Sequence, residues 1–150
     1  MQQQMESKTK SDILVGLQMI CILLLLIMIP VWKVGYITLI VVAGGFLLGC
    51  WAVVTIRLDN LSVRPDIKQN AHLVKSGPYR IIRHPMYTAV LLTLAPMVVD
   101  RPSIYCIMIW IVLLITLLYK LNYEERLLTA HFEEYVSYSL NTWRIIPYIY

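Results

Sequence analysis

Four stretches of the chain are apolar almost without interruption, and the polar residues gather between and around them. Ile13 to Ile29 is a 17-residue run whose only polar member is Gln18. At about 1.5 Å per residue it reaches roughly 26 Å, close to the ~30 Å hydrocarbon core of a bilayer, and it predicts a first membrane span over 13–29. Val34 to Ile56 is long enough to cross with tilt. Pro85 to Val99 is shorter and contains Pro96, and a fourth span is predicted from Ser103 to about Tyr119. Beyond it Leu127, Leu128, His131, Phe132, Tyr135 and Val136 recur at helical spacing, while Arg126, Glu133, Glu134 and Ser137 take the other face. That periodicity predicts an amphipathic helix lying along the membrane surface. The pattern therefore predicts an all-α fold, an integral membrane bundle of four transmembrane helices with a C-terminal interfacial amphipathic helix, in a single domain over residues 1–150.

Composition agrees, since 59% of the residues are hydrophobic and only 15% charged, against about 25% charged in soluble domains. The polar start from Gln2 to Asp12 resembles the front of a signal peptide, but the apolar run that follows is too long for an h-region and no small-residue cleavage site comes after it. The first span is expected to stay in the mature protein. Cys21, Cys50 and Cys106 all fall inside apolar runs and are expected to be small buried hydrophobes, not a redox pair or metal ligands. Gly45 and Gly49 form a GxxxG pair in the second run, expected to let another helix of the same chain approach closely.

Charge placement sets the expected orientation. The N-terminal tail, the Arg57–His84 segment and the tail after Tyr119 carry 2, 6 and 3 basic residues, 11 of the 13, and only Lys33 and Arg101 lie elsewhere. Positive charge concentrates in cytoplasmic loops, so a multi-pass protein with both termini cytoplasmic is expected. The net charge of +4 follows from that pattern and does not call for a nucleic-acid partner, because no nucleic-acid motif accompanies it. Eight of the ten tyrosines fall at or beyond the same boundary, with only Tyr36 and Tyr105 near the other. An aromatic belt alone would populate both interfaces.

The topology brings three polar clusters to that leaflet: Ser76 to Tyr87, Tyr123 to Arg126, and Tyr135 to Pro147. Gly77-Pro78 marks a turn. Pro85 suits the first position of a helix, and the residue before a proline is pushed out of the α region, so His84 is expected at the helix entrance between Arg83 and Pro85, facing a site. Adjacent carboxylates at the end of a membrane helix, Glu124 and Glu125, are costly unless they meet a cation such as Arg83, Arg144 or a ligand. Glu133 and Glu134 are expected to be solvated.

The string LVKSGPYRIIRHPMY, then Glu124-Glu125-Arg126-Leu127-Leu128, then His131 to Tyr138 and Arg144-Ile145-Ile146-Pro147 resembles the isoprenylcysteine carboxyl methyltransferase family in order and spacing over residues 72–148. Phospholipid N-methyltransferases are more distant relatives, sharing chiefly the paired glutamates. The resemblance implies two cytoplasmic cofactor-site segments, 72–87 and 120–148, that bind S-adenosylmethionine below a membrane-facing entrance for a lipophilic acceptor. It also implies that His84, Tyr87, Glu124, Glu125 and Arg144 line the cofactor pocket, with Tyr135 and Tyr138 supporting it and Arg83 facing the acceptor. Arg83, His84 and Glu125 are the expected catalytic set, with no metal. Thr88-Ala89 stands where a glycine often follows the tyrosine in that family, and by the same resemblance the chain is expected to be shorter at its N-terminus than archaeal and eukaryotic members by at least one span.

The residue types suit that cofactor independently, because a sulfonium, an ammonium and a carboxylate need aromatic faces, an anion and a cation. No glycine-rich strand-to-helix turn is present, which excludes a soluble Rossmann-type methyltransferase. The expected partners are a lipophilic or lipidated acceptor, bearing a carboxylate or a thiol, and membrane lipids. The alternatives are a phospholipid or other amine N-methyltransferase, a nicotinamide-dependent membrane reductase, and a non-catalytic membrane module on the same scaffold.

Overall fold

A computed structural model of the protein describes residues 2–56 and 73–150, with side chains from Thr9 onward. The basic residues Arg57, Arg64 and Lys68, which enter the charge pattern, lie outside the described residues. The elements are α1 (Gln2–Met28), a 3-10 turn (Val31–Lys33), α2 (Tyr36–Ile56), a second 3-10 turn (Gly77–Arg80), α3 (Pro85–Asp100), α4 (Ile104–His131) and α5 (Tyr135–Leu140). The protein is an all-α membrane helical bundle. Thr9–Met28, α2 and α4 are long and apolar enough to cross a membrane. The 16-residue α3 spans about 24 Å and is a shorter apolar helix that continues through Pro96.

Helix α1 starts well before the predicted Ile13, at Gln2. Gln, Met, Glu and Lys lose little rotamer freedom in a helix, so the polar segment simply extends it. The larger departure is in α4, whose 28 residues run past Tyr119 to His131. The predicted separate amphipathic helix is thereby corrected. Leu127 and Leu128 belong to the last turns of α4, Phe132 is extended (φ −113°, ψ 112°), and only the six residues Tyr135–Leu140 form a helix of their own. The same 3.6-residue period marks the continuation of a membrane helix, and neither Gly nor Pro occurs between Ile104 and His131 to stop it.

Helices α2 and α3 pack most closely. A Cβ added at Gly45 would lie 2.7 Å from Thr93 Oγ1 and 3.1 Å from the Ala89 carbonyl oxygen, and one at Gly49 would lie 3.3 Å from Ala89 Cβ. The GxxxG pair therefore works within the chain, as expected. Helix α1 packs along α4, and Cys21, Leu25, Leu94, Met97, Leu113, Leu117 and Leu121 form the core between the helices. Cys21 and Cys106 are buried free thiols, but Cys50 is exposed. It stands about 100° around α2 from the neighbouring Gly49 that meets α3, so the expectation that all three cysteines are buried is corrected.

The end of the bundle where α2 begins is fastened by one carboxylate. Asp100 accepts from the Gly35 N–H (3.1 Å) and from Thr38 Oγ1 (3.1 Å), while Arg101 Nε donates to the Lys33 carbonyl (2.8 Å). An anion there satisfies donors that the first turn of α2 leaves unpaired and complements the helix dipole. The start of α3 and the end of α4 meet at the opposite end of the bundle, and the polar clusters gather there.

Candidate active site

The approach to α3 is shaped by Gly77, whose φ of +56° lies in the left-handed region and where an added Cβ would fall 2.6 Å from Thr55 Oγ1. Any other residue would strain the backbone and collide with the end of α2. After the 3-10 turn the chain pairs in parallel with the C-terminal tail through Ile82 and Trp143. The Trp143 N–H donates to the Ile81 carbonyl (2.9 Å), the Arg83 N–H to the Trp143 carbonyl (2.7 Å) and the His84 N–H to the Arg144 carbonyl (3.0 Å). Thr88 Oγ1 extends the seam to the Ile145 carbonyl (2.8 Å). His84 caps α3 outside the helical region (φ −122°, ψ 60°), with Pro85 in the first helical turn, as the steric demand of the proline ring requires.

Glu125 is the hub. Its Oε1 accepts from Arg83 Nε (2.9 Å), and its Oε2 lies 2.8 Å from Arg144 Nη2. Tyr135 Oη reaches Oε1 at 3.5 Å. The Arg83 and Glu125 side chains are 9% and 12% exposed, whereas that of Arg144 is 34% exposed. Arg83 Nη1 also donates to the Ser139 carbonyl (2.7 Å) and to the Thr142 carbonyl, so it ties α5 and the residues just after it to α4. Glu124, the preceding residue, accepts from Tyr87 Oη (2.7 Å).

His84 sits between the two carboxylates, Nδ1 3.5 Å from Glu124 and Nε2 3.5 Å from Glu125. Its ring stacks on that of Tyr87, with centroids 5.4 Å apart and planes 7° from parallel. Burial opposes a charged imidazole, but the two carboxylates outweigh it and hold the His84 pKa above the usual histidine range. Tyr138 donates to the Tyr79 carbonyl, and burial pushes its phenol up to about 12. Arg83, Thr142, Trp143, Arg144 and Tyr150 line an open pocket of about 480 Å³ that meets the cluster at its two arginines.

The structure thus gathers Arg83, His84, Tyr87, Glu124, Glu125, Tyr135 and Arg144 into one connected cluster, with Tyr138 bonded beside it. Glu133 is exposed, and Glu134 forms a solvent-exposed ion pair with Lys75 (2.6 Å). Sequence reasoning passed over Lys120, which is 2% exposed and whose Nζ donates to Gln18 Oε1 (2.8 Å) on α1. The available signal was its position four residues before Glu124 at the end of an apolar run. Among the described residues no group of His, Cys, Asp and Glu is arranged to hold a metal ion.

A membrane helical bundle with a buried cluster of carboxylates, guanidiniums, imidazole and phenols at one end is the architecture of an integral membrane enzyme. A family model described as phospholipid methyltransferase matches residues 32–135, about two thirds of the chain. The chain belongs to that family of integral membrane methyltransferases, the class to which the motif resemblance pointed. The match takes in His84, Tyr87, Glu124 and Glu125 and stops at Tyr135, short of Tyr138 and Arg144. No curated protein and no solved structure matches the chain significantly.

Proposed function

We propose that the protein transfers the methyl group of S-adenosylmethionine to a lipophilic acceptor at the membrane surface. The observation that carries this reading is the Arg83–Glu125–Arg144 bridge, closed against His84 and Glu124 at one end of an otherwise apolar bundle. The residues fit the cofactor's groups. Glu124 and Glu125 would hold its ammonium, the partly exposed Arg144 its carboxylate, and Tyr135 and Tyr138 offer aromatic faces for a sulfonium, with Tyr87 bonded to Glu124 beside them. His84 Nε2 is buried and, despite its nearness to Glu125, makes no hydrogen bond among the described residues, which leaves one polar atom in this set open to a ligand. When bound, the cofactor supplies an electrophilic methyl group. The protein's own part is to fix the orientation of the two reactants and keep water out.

The acceptor is a lipid-tailed carboxylate or thiol. His84 carries its proton more tightly than a free histidine and Glu125 is occupied by two guanidiniums, so neither is a ready base, and a carboxylate or thiolate needs none. A second reading is an amine head group, for which Glu124 would have to take the proton. Detergent-purified protein is expected to bind S-adenosylhomocysteine and not NADPH in calorimetry. Binding of NADPH alone would replace the methyltransferase reading with a reductase on the same scaffold. Labelled methyl transfer to carboxylate, thiol and amine acceptors sharing one tail would then separate the two acceptor readings.

The site lies on the cytoplasmic side, together with both termini, because 11 of the 13 basic residues fall in the three segments assigned to that side. In intact cells a membrane-impermeant thiol reagent is expected to label Lys33→Cys from outside and to spare Ser7→Cys and Ser139→Cys. Outside labelling of Ser7→Cys would reverse the topology.

A further inference from the structure

Gln18, alone in its run on α1, and Lys120 on α4 are long polar side chains set in the apolar helices near the site. Each is expensive in hydrocarbon, and a lysine there generally has a task. Lys120 precedes Glu124 by four residues, so it shares that residue's face of α4 one turn closer to the middle of the bundle. It is 2% exposed. Its Nζ donates to Gln18 Oε1 at 2.8 Å and lies 5.4 Å from the centre of the Tyr87 ring. That ring in turn stacks on His84 and donates its hydroxyl to Glu124.

We infer that Lys120, held by Gln18, is a positioning residue of the active site: it fixes the Tyr87 ring by a cation–π contact and thereby the orientation of Glu124 and His84. This rests on the methyltransferase reading above. His84 stacks on the Tyr87 ring and Glu124 accepts from its hydroxyl, so any shift of that ring costs Glu124 its phenol donor and His84 its stack. The Lys120 ammonium adds a further hold on the ring by attracting its electron-rich face. Gln18 supplies an acceptor that helps keep the ammonium in place, where solvent would otherwise draw a long flexible side chain outward. Helix α1, which lies before the family-matched residues 32–135, is then part of the site's wall.

Three substitutions test the assignment in detergent-purified protein, with S-adenosylhomocysteine as the probe. Lys120→Met keeps most of the length of the side chain and removes the ammonium, and Gln18→Leu leaves the ammonium and removes the amide that accepts from it. Lys120→Met is expected to weaken binding at least tenfold and Gln18→Leu several-fold, while Gln18→Glu, which retains an acceptor, stays within twofold of the wild type. Leu117→Ala, a cut into the buried core of the same helix, is the control for mere destabilisation: it lowers the melting temperature and leaves the dissociation constant unchanged. A second readout needs no ligand. The ring resonances of His84 in isotope-labelled protein are expected to move in Lys120→Met and Gln18→Leu but not in Leu117→Ala. Unchanged binding and unchanged His84 resonances in both variants would overturn the assignment. If Lys120→Met does not fold, Gln18→Leu decides by the same two readouts. If the wild type does not bind the probe, the methyltransferase reading fails, and the His84 resonances still decide whether Lys120 positions the cluster.

Discussion

Replacing Glu125 by glutamine is expected to weaken binding of S-adenosylhomocysteine by about tenfold to a hundredfold. A charge-assisted hydrogen bond contributes about 1.5–3 kcal/mol, and Glu125 is the carboxylate on which Arg83, Arg144 and His84 converge. The amide has nearly the same shape, so packing around it is preserved. It carries no charge, however, and turns an NH2 group toward one of the guanidiniums, leaving two cations without their shared anion. Glu133→Gln, at an exposed position, is expected to change nothing. Calorimetry on the two variants checks this, and equal effects would remove Glu125 from the pocket.

Arg83→Met is expected to cost about 3–5 kcal/mol of stability, the usual penalty for removing one partner of a buried ion pair. Methionine keeps most of the buried stem but abandons Glu125 and the Ser139 and Thr142 carbonyls. The loss falls on the C-terminal tail, since these contacts tie it to α4. The variant is therefore expected to melt earlier and to expose Trp143 to a soluble fluorescence quencher more than the wild type does. Wild-type quenching together with a wild-type melting temperature would show that the backbone seam alone holds the tail.

The helices were legible because their signal is local: each is an apolar run, three of them of membrane length, and α1, α2 and α3 end within a residue of the expected boundary. Helix α4 shows the limit. A helix that leaves the membrane and continues has the same period as two helices end to end, and the break comes only at the extended Phe132 and the two glutamates after it. The site was legible where the residue types were unusual for their setting, as with the paired glutamates and the histidine before a proline. Its wiring was not. That Arg83 reaches Ser139, or that Lys120 reaches Gln18, depends on contacts between residues 56 and 102 positions apart, which no local pattern encodes.

The parallel pairing of Ile82 with Trp143 makes length, more than identity, the constraint on the tail. Its hydrogen bonds belong to the main chain, so they are indifferent to most side chains at these positions. Neighbouring residues of an extended segment point to opposite sides, and a shift by one residue reverses them all. One residue more or fewer between Tyr138 and Trp143 would carry Arg144 away from Glu125 even if every original residue remained. The segment acts as a spacer of fixed measure, open to substitution and closed to insertion or deletion.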